Sequence, residues 1–164
     1  MIINNIEFAR KALEFHDTIA VSQFLRLHDA IASDKGALNW HLLGSVDSGG
    51  KMTLQLQVQG SLELICQRCL EPFEFNLDIY SKFILVMNES DIPSEDDDSG
   101  DEDYLLADTQ MQVNELIEDE ILLALPLAPK HDDEDCSASD KVNALKKPSP
   151  FAVLQGLKTG KNQN

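Results

Sequence analysis

Cys66 and Cys69 stand with two residues between them in the stretch Ile65-Cys66-Gln67-Arg68-Cys69-Leu70-Glu71-Pro72-Phe73. The third cysteine, Cys136, follows His131 with four residues between them. Cys66-x2-Cys69 and His131-x4-Cys136 are two close pairs of thiolate and imidazole ligands, and Cys3His is a structural zinc set. Because the pairs are distant in sequence, one shared ion would tie two parts of the fold together. Two other readings stand beside zinc. Cysteine is among the most buried residue types, so the three could be plain structural residues. A Cys-x2-Cys pair can also do redox chemistry, but that motif normally lies near a βαβ pattern. Here it lies between strand-like runs and is followed by Glu71-Pro72.

Other chemistry is sparse. There is no Gly-rich phosphate loop, nucleophile elbow or HExxH motif. Glu118, Asp119 and Glu120 could hold a divalent metal for a nuclease, since carboxylates suit magnesium. Consecutive helical residues point about 100° apart, however, and a charged helix face is the commoner reason for such a run. The chain is therefore read as a non-enzyme. His16, His28 and His41 are scattered without ligand spacing.

The elements that must position the cysteines read as α+β. Ile6 to Leu13 suggests a short helix, Glu14 to Val21 an extended connector, and Ser22 to Ile31 a helix capped by Ser22. Ala37 to Val46 reads as a strand. Met52, Leu54, Leu56 and Val58 alternate with Thr53, Gln55, Gln57 and Gln59, the pattern of a half-buried strand. Gly60-Ser61 reads as a break or bulge, after which the chain continues extended to Cys66. Phe73 to Ile79 and Lys82 to Met87 read as two more strands, and the Cys pair sits in a connection between strands. Thr109 to Leu125 reads as a helix opened by a Thr109–Gln112 capping box and stopped by Pro126. The expected architecture is an antiparallel sheet of four to five strands between Ala37 and Met87, able to curl into a partial barrel, with flanking helices.

Residues 1–140 read as a single domain and 141–164 as a basic, flexible tail. Within the domain, 89–103 carries nine acids among Ser, Gly and Pro, the composition of a mobile or disordered acidic loop. The tail holds Lys146, Lys147, Lys158 and Lys161 around the apolar hook Phe151 and Leu154, with no acid from Lys141 onward. Those six residues are the candidate RNA or partner contacts. A solubilising tail that packs back on the body is the alternative. Net charge is −16, which argues against broad, unassisted nucleic-acid binding and suits docking on a basic protein. No apolar run is long enough to span a membrane. The first residues lack a signal-peptide pattern, so a reducing, cytoplasmic setting is expected.

Four blocks in order carry a family resemblance. They are Ile65 to Phe73, Glu118 to Pro126, His131 with Cys136, and Lys147-Pro148-Ser149-Pro150-Phe151-Ala152-Val153-Leu154. The chain resembles the YceD family, the large ribosomal RNA subunit accumulation proteins, over nearly its whole length. The resemblance implies a cytoplasmic, non-catalytic factor for synthesis, processing or stability of large-subunit ribosomal RNA. Its partners would be ribosomal proteins or assembly factors, with ribosomal RNA touched through the basic tail, and no membrane or small-molecule substrate. It also marks Cys66, Cys69, His131 and Cys136 as the candidate structural site; one structural zinc there is the cofactor that the Cys3His residue types themselves suggest. A small zinc-stabilised protein–protein adaptor with no direct RNA role is the competing reading.

Overall fold

The computed structural model describes residues 1–93, 103–132 and 136–137. The centre of the fold is a five-stranded sheet in the order β2 (Glu14–Ala20), β3 (Ala37–Val46), β4 (Met52–Ile65), β5 (Pro72–Val86) and β6 (Asp103–Leu106). The first four strands are antiparallel, and β6 adds in parallel beside β5. The sheet is mainly antiparallel and open rather than closed into a barrel, with β2 and β6 at its edges. Two short strands, β1 (Ile2–Ile3) and β7 (Met111–Gln112), pair separately and bring the N-terminus beside the start of helix α2 (Val113–Ala124).

The alternation on β4 sets which face is dry. Leu54, Leu56, Val58, Leu62 and Leu64 are all buried, together with Leu38, Trp40 and Leu42 of β3. A fully buried aliphatic side chain contributes roughly 1.5–3 kcal/mol, so this inner face supplies much of the stability. Helix α1 (Asn5–Arg10) and α2 close over it with Phe8, Ala9, Val113, Ile117 and Ile121. Asn4 caps α1 by accepting the Glu7 N–H at 3.0 Å.

Several expectations from the sequence change in physical detail. No helix spans Ser22–Ile31. Instead there are two 3-10 turns, Val21–Gln23 and Arg26–Asp29, separated by an extended Phe24. The Arg26 N–H that would feed a helix donates to the Glu118 carboxylate at 2.6 Å. The connector at Glu14 is edge strand β2, whose burial shows no alternation because only Ile19 is fully buried there. The two expected strands after the cysteines are one strand, β5. Ser81, which interrupts its apolar pattern, is buried facing α2 and donates to Glu120. Only three strands therefore lie between Ala37 and Met87. Helix α2 starts at Val113, because Met111 and Gln112 pair with the N-terminus and Val113 N–H donates to Met1 O. Gln112 is its N-cap without a side-chain bond.

Gly60 makes no bulge. The β4–β5 register runs unbroken through Gln59, Gly60 and Ser61. The glycine is needed instead for its φ of 153° and because a Cβ would lie 2.6 Å from Leu38 Cδ2. Gly44 is needed for close approach. A Cβ there would lie 2.7 Å from Phe8 O and 2.8 Å from Ala9 Cα, so α1 rests directly on β3 backbone. Backbone cannot yield as a flexible side chain can. Gly44→Ala is accordingly expected to cost about 2–4 kcal/mol in urea unfolding. Gly49→Ala, which meets only the Asp47 side chain, should stay within about 0.5 kcal/mol of the parent.

Candidate metal centre

The β4–β5 connection is a tight turn built around its first cysteine. Cys66 N–H donates to Glu71 O at 3.0 Å, and Leu70 N–H donates back to Cys66 O at 2.9 Å. Closing the turn places Leu70 in the left-handed region, φ 63°, a conformation that costs a non-glycine residue about 1 kcal/mol or more. The same turn aims the Arg68 N–H at Cys66 Sγ, 3.5 Å away. Cys66 and Cys69 are both buried.

The second half of the site arrives from the far end of α2. Pro126 and Pro129 prevent the helix from continuing, and the extended segment crosses to the turn. Gln67 N–H donates to Pro129 O at 2.8 Å, and Arg68 Nη2 donates to His131 O at 2.9 Å. Phe73 packs its ring against His131, with centroids 5.5 Å apart. Beyond, Ser137 Oγ donates to Glu71 Oε2 at 2.9 Å. These bonds bring Cys136, also buried, onto Cys66 and Cys69, and the three form a cluster of their own apart from the main core.

Cys66, Cys69, His131 and Cys136 therefore converge, with one ligand atom from each lying within 4.8 Å of every other. Among the described residues this Cys3His set is the one group close enough to bind a metal ion. Cys69 Sγ and His131 Nε2 are 3.6 Å apart. A sulfur and a nitrogen on one tetrahedral zinc would be separated by roughly 3.6 Å, given bond lengths near 2.3 and 2.05 Å. No disulfide joins the cysteines. Burial alone would push the Cys66 thiol up, but N–H groups of Cys69, Arg68 and His131 and the Cys69 thiol outweigh it and bring it down to about 5. Burial pushes the Cys69 thiol up, reinforced by neighbouring Cys66 and Cys136. N–H donors around Cys66 Sγ favour its thiolate form, while burial opposes ionisation of Cys69. A divalent ion would let several thiols ionise together.

The acids of α2 are engaged elsewhere. Glu118, buried, accepts from Arg26 N and from Arg26 Nε at 2.9 Å, and Asp119 accepts from Arg26 Nη1 at 2.5 Å. These carboxylates, Asp119 foremost, raise the Arg26 guanidinium above its ordinary value. Glu120 points to Ser81 instead. The three acids thus tie α2 to two different neighbours rather than meeting at one site. Arg26, Gln67 and Arg68 carry no spacing signal that would single them out, because their partners lie 60 or more residues away or are backbone atoms. The tail residues Lys146, Lys147, Phe151, Leu154, Lys158 and Lys161 lie outside the described residues, as does most of the acidic stretch (94–102). Its ends, Glu89–Asp91 and Asp103, form a 3-10 turn and the start of β6. Among the described residues no helix is long and apolar enough to cross a membrane.

Comparison with known proteins bears on all of this. The family model for the large ribosomal RNA subunit accumulation protein YceD matches residues 54–158, a span that contains Cys66, Cys69, His131 and Cys136. The "Large ribosomal RNA subunit accumulation protein YceD" of Haemophilus influenzae is 30% identical over 174 aligned positions, covering 96% of this chain and 95% of that protein. No solved structure gives a significant match.

Glu118 holds both the α2 face and the 3-10 turn at Arg26. Glu118→Ala is expected to cost about 2 kcal/mol, the loss of two charge-assisted bonds from a buried site. Arg26→Ala should cost less, since the Arg26 N–H still reaches the carboxylate and the guanidinium is half exposed. Equal losses in chemical denaturation would contradict this assignment.

Proposed function

Because the chain belongs to the YceD family, we propose that it is a non-catalytic ribosome-biogenesis factor that sustains large-subunit ribosomal RNA, held in shape by one structural zinc. The carrying observation is the match to an accumulation protein across 96% of the chain. The zinc is a reading of the Cys3His group, supported by the 3.6 Å separation of Cys69 Sγ and His131 Nε2. Cys66, Cys69, His131 and Cys136 would hold it, and its role would be to link the β4–β5 turn to the segment beyond α2. Four protein ligands leave no open position for a substrate or a reactive water, which suits structure rather than catalysis.

The acidic body and the basic tail divide the work. A net charge of −16 draws basic ribosomal proteins or assembly factors at low salt. The tail lysines, Lys146, Lys147, Lys158 and Lys161, supply attraction to phosphate. This work belongs in the cytoplasm, where ribosomes are built. The adaptor reading, with no direct RNA role, is favoured by the overall charge alone.

Two measurements on the same variant test the proposal. Protein purified without added zinc or chelator is expected to hold close to one zinc, and Cys66→Ser to lose it with a fall in Tm of about 10 °C. In cells lacking the gene, large-subunit RNA should fall relative to small-subunit RNA, with the full chain restoring it and Cys66→Ser failing to. An unchanged RNA ratio would overturn the function, and metal-free protein of unchanged Tm would overturn the zinc.

A further inference from the structure

The helices cover one face of the sheet, and among the described residues the opposite face of β2 to β5 is left open at its middle. The register aligns four residues straight across this face: His16, His41, Gln57 and Tyr80. Neighbouring rows carry Thr18, Asn39 and Gln59 on one side and Gln55 and Lys82 on the other. Tyr80 is 66% exposed and His16 is exposed, while His41 and Gln57 are half-buried. Among the described residues the side chains of His16, Gln57 and Tyr80 have no hydrogen-bond partner. Along β2 to β4 the surface sinks into a shallow cavity of about 530 Å³, lined in part by His16, Thr18, Asn39, His41 and Gln57.

The chemistry of this face is specific. Strands lie about 4.8 Å apart, so His16 and His41 are neighbours and Tyr80 stands roughly 10 Å beyond His41. Exposed rings at such intervals can stack on successive bases of an extended strand. Between them β4 offers three glutamines in alternate positions, and each amide has both donors and acceptors, as base edges require. Tyr80 is the one large ring in the central row, and no exposed aliphatic side chain stands beside it there. The two acids of these rows are engaged or offset. Glu14 lies 2.9 Å from His41 Nε2, Asp78 accepts from Gln59 Nε2 at 2.9 Å, and Lys82 stands nearby. Asp17 also borders the cavity, so the attraction to phosphate must come from Lys82 and the basic tail, and the face itself offers rings and amides rather than charge.

We propose that this open face is a binding site for single-stranded RNA, in which the rings of His16, His41 and Tyr80 stack on bases and the amides of Asn39, Gln57 and Gln59 contact their edges. The proposal rests on the ribosomal-RNA reading and deepens it by separating two duties. The tail attracts the backbone, and the sheet selects unpaired bases. A duplex hides its base faces and gains nothing from the rings, so it is the poorer ligand.

The test uses the full chain and a fluorescently labelled eight-nucleotide single-stranded RNA of mixed sequence, followed by anisotropy. His16→Ala with Tyr80→Ala is expected to weaken binding at least about tenfold. Tyr80→Phe, which keeps the ring, should bind like the parent, and ultraviolet cross-links should map to the β5 peptide that contains Tyr80. Both positions are exposed, and an unchanged Tm confirms that the fold is kept. Three results would overturn the site: binding unaffected by the double variant, a duplex of equal length bound as tightly, or no binding at about 100 µM RNA. Its failure is distinct from failure of the broader reading. A double variant that binds RNA normally in a chain that restores ribosomal RNA in cells sinks the site alone. A chain that restores nothing sinks the reading.

Discussion

The convergence of the Cys66–Cys69 turn with His131 and Cys136 is the constraint on which the far end of the molecule depends. The main core reaches along the β4–β5 hairpin to Leu64, and among the described residues the turn beyond it buries a separate small cluster, Cys66, Cys69 and Cys136, with Phe73 against it. A hairpin tip of that kind is poorly held by burial alone. The segment after α2 has two prolines and no regular structure from Leu125 to His131. Each half lacks its own support, and each is stabilised by the other through Gln67–Pro129, Arg68–His131 and Glu71–Ser137 bonds. Four potential ligand atoms, one from each of Cys66, Cys69, His131 and Cys136, are gathered behind those bonds within 4.8 Å of one another, close enough to hold a metal ion.

The remainder of the fold follows from one sheet with unlike faces. Glycines at 44 and 60 let α1 and Leu38 approach β-strand backbone closely, so the inner face is filled by direct helix-to-sheet contact. The polar groups that enter this layer are paired. Ser81 meets Glu120, and Glu118 meets Arg26, so α2 is pinned through its acids as well as its leucines. Acids that resemble a catalytic cluster in sequence thus serve as ties. The outer face carries amides and rings instead, several of them paired across the strands, as Thr18 with Asn39 and Gln59 with Asp78.

Residues with strong local periodicity were legible from sequence. The strand Ala37–Val46, the alternating start of β4 and the apolar part of the buried face of α2 (Val113, Leu116, Ile117 and Ile121) follow from spacing, as does the α+β class, whereas Glu118, which the spacing puts on the wet face, is buried against Arg26 and Ala124 is exposed. What escaped depends on distant partners. Glu14–Ala20 has no alternation because it is an edge strand with one fully buried residue. The would-be helix at Ser22–Ile31 has good helical spacing, yet Glu118, 92 residues away, takes the Arg26 N–H and the segment settles into separate turns. The parallel addition of β6 leaves no local trace either. At the candidate metal site the four residue types were readable, while the closing of the two pairs on one point was not, because it relies on backbone bonds such as Gln67 N–H to Pro129 O. Membership of the YceD family supplies the functional context that geometry alone does not.

The most direct test of the account is X-ray absorption at the zinc edge on the full chain as purified. Three sulfur ligands near 2.3 Å and one nitrogen ligand near 2.0–2.1 Å, with the nitrogen lost in His131→Ala, is the predicted result. A first shell with only two sulfurs, or one filled by oxygen, would contradict the joining of the hairpin turn to the segment beyond α2 by a single ion.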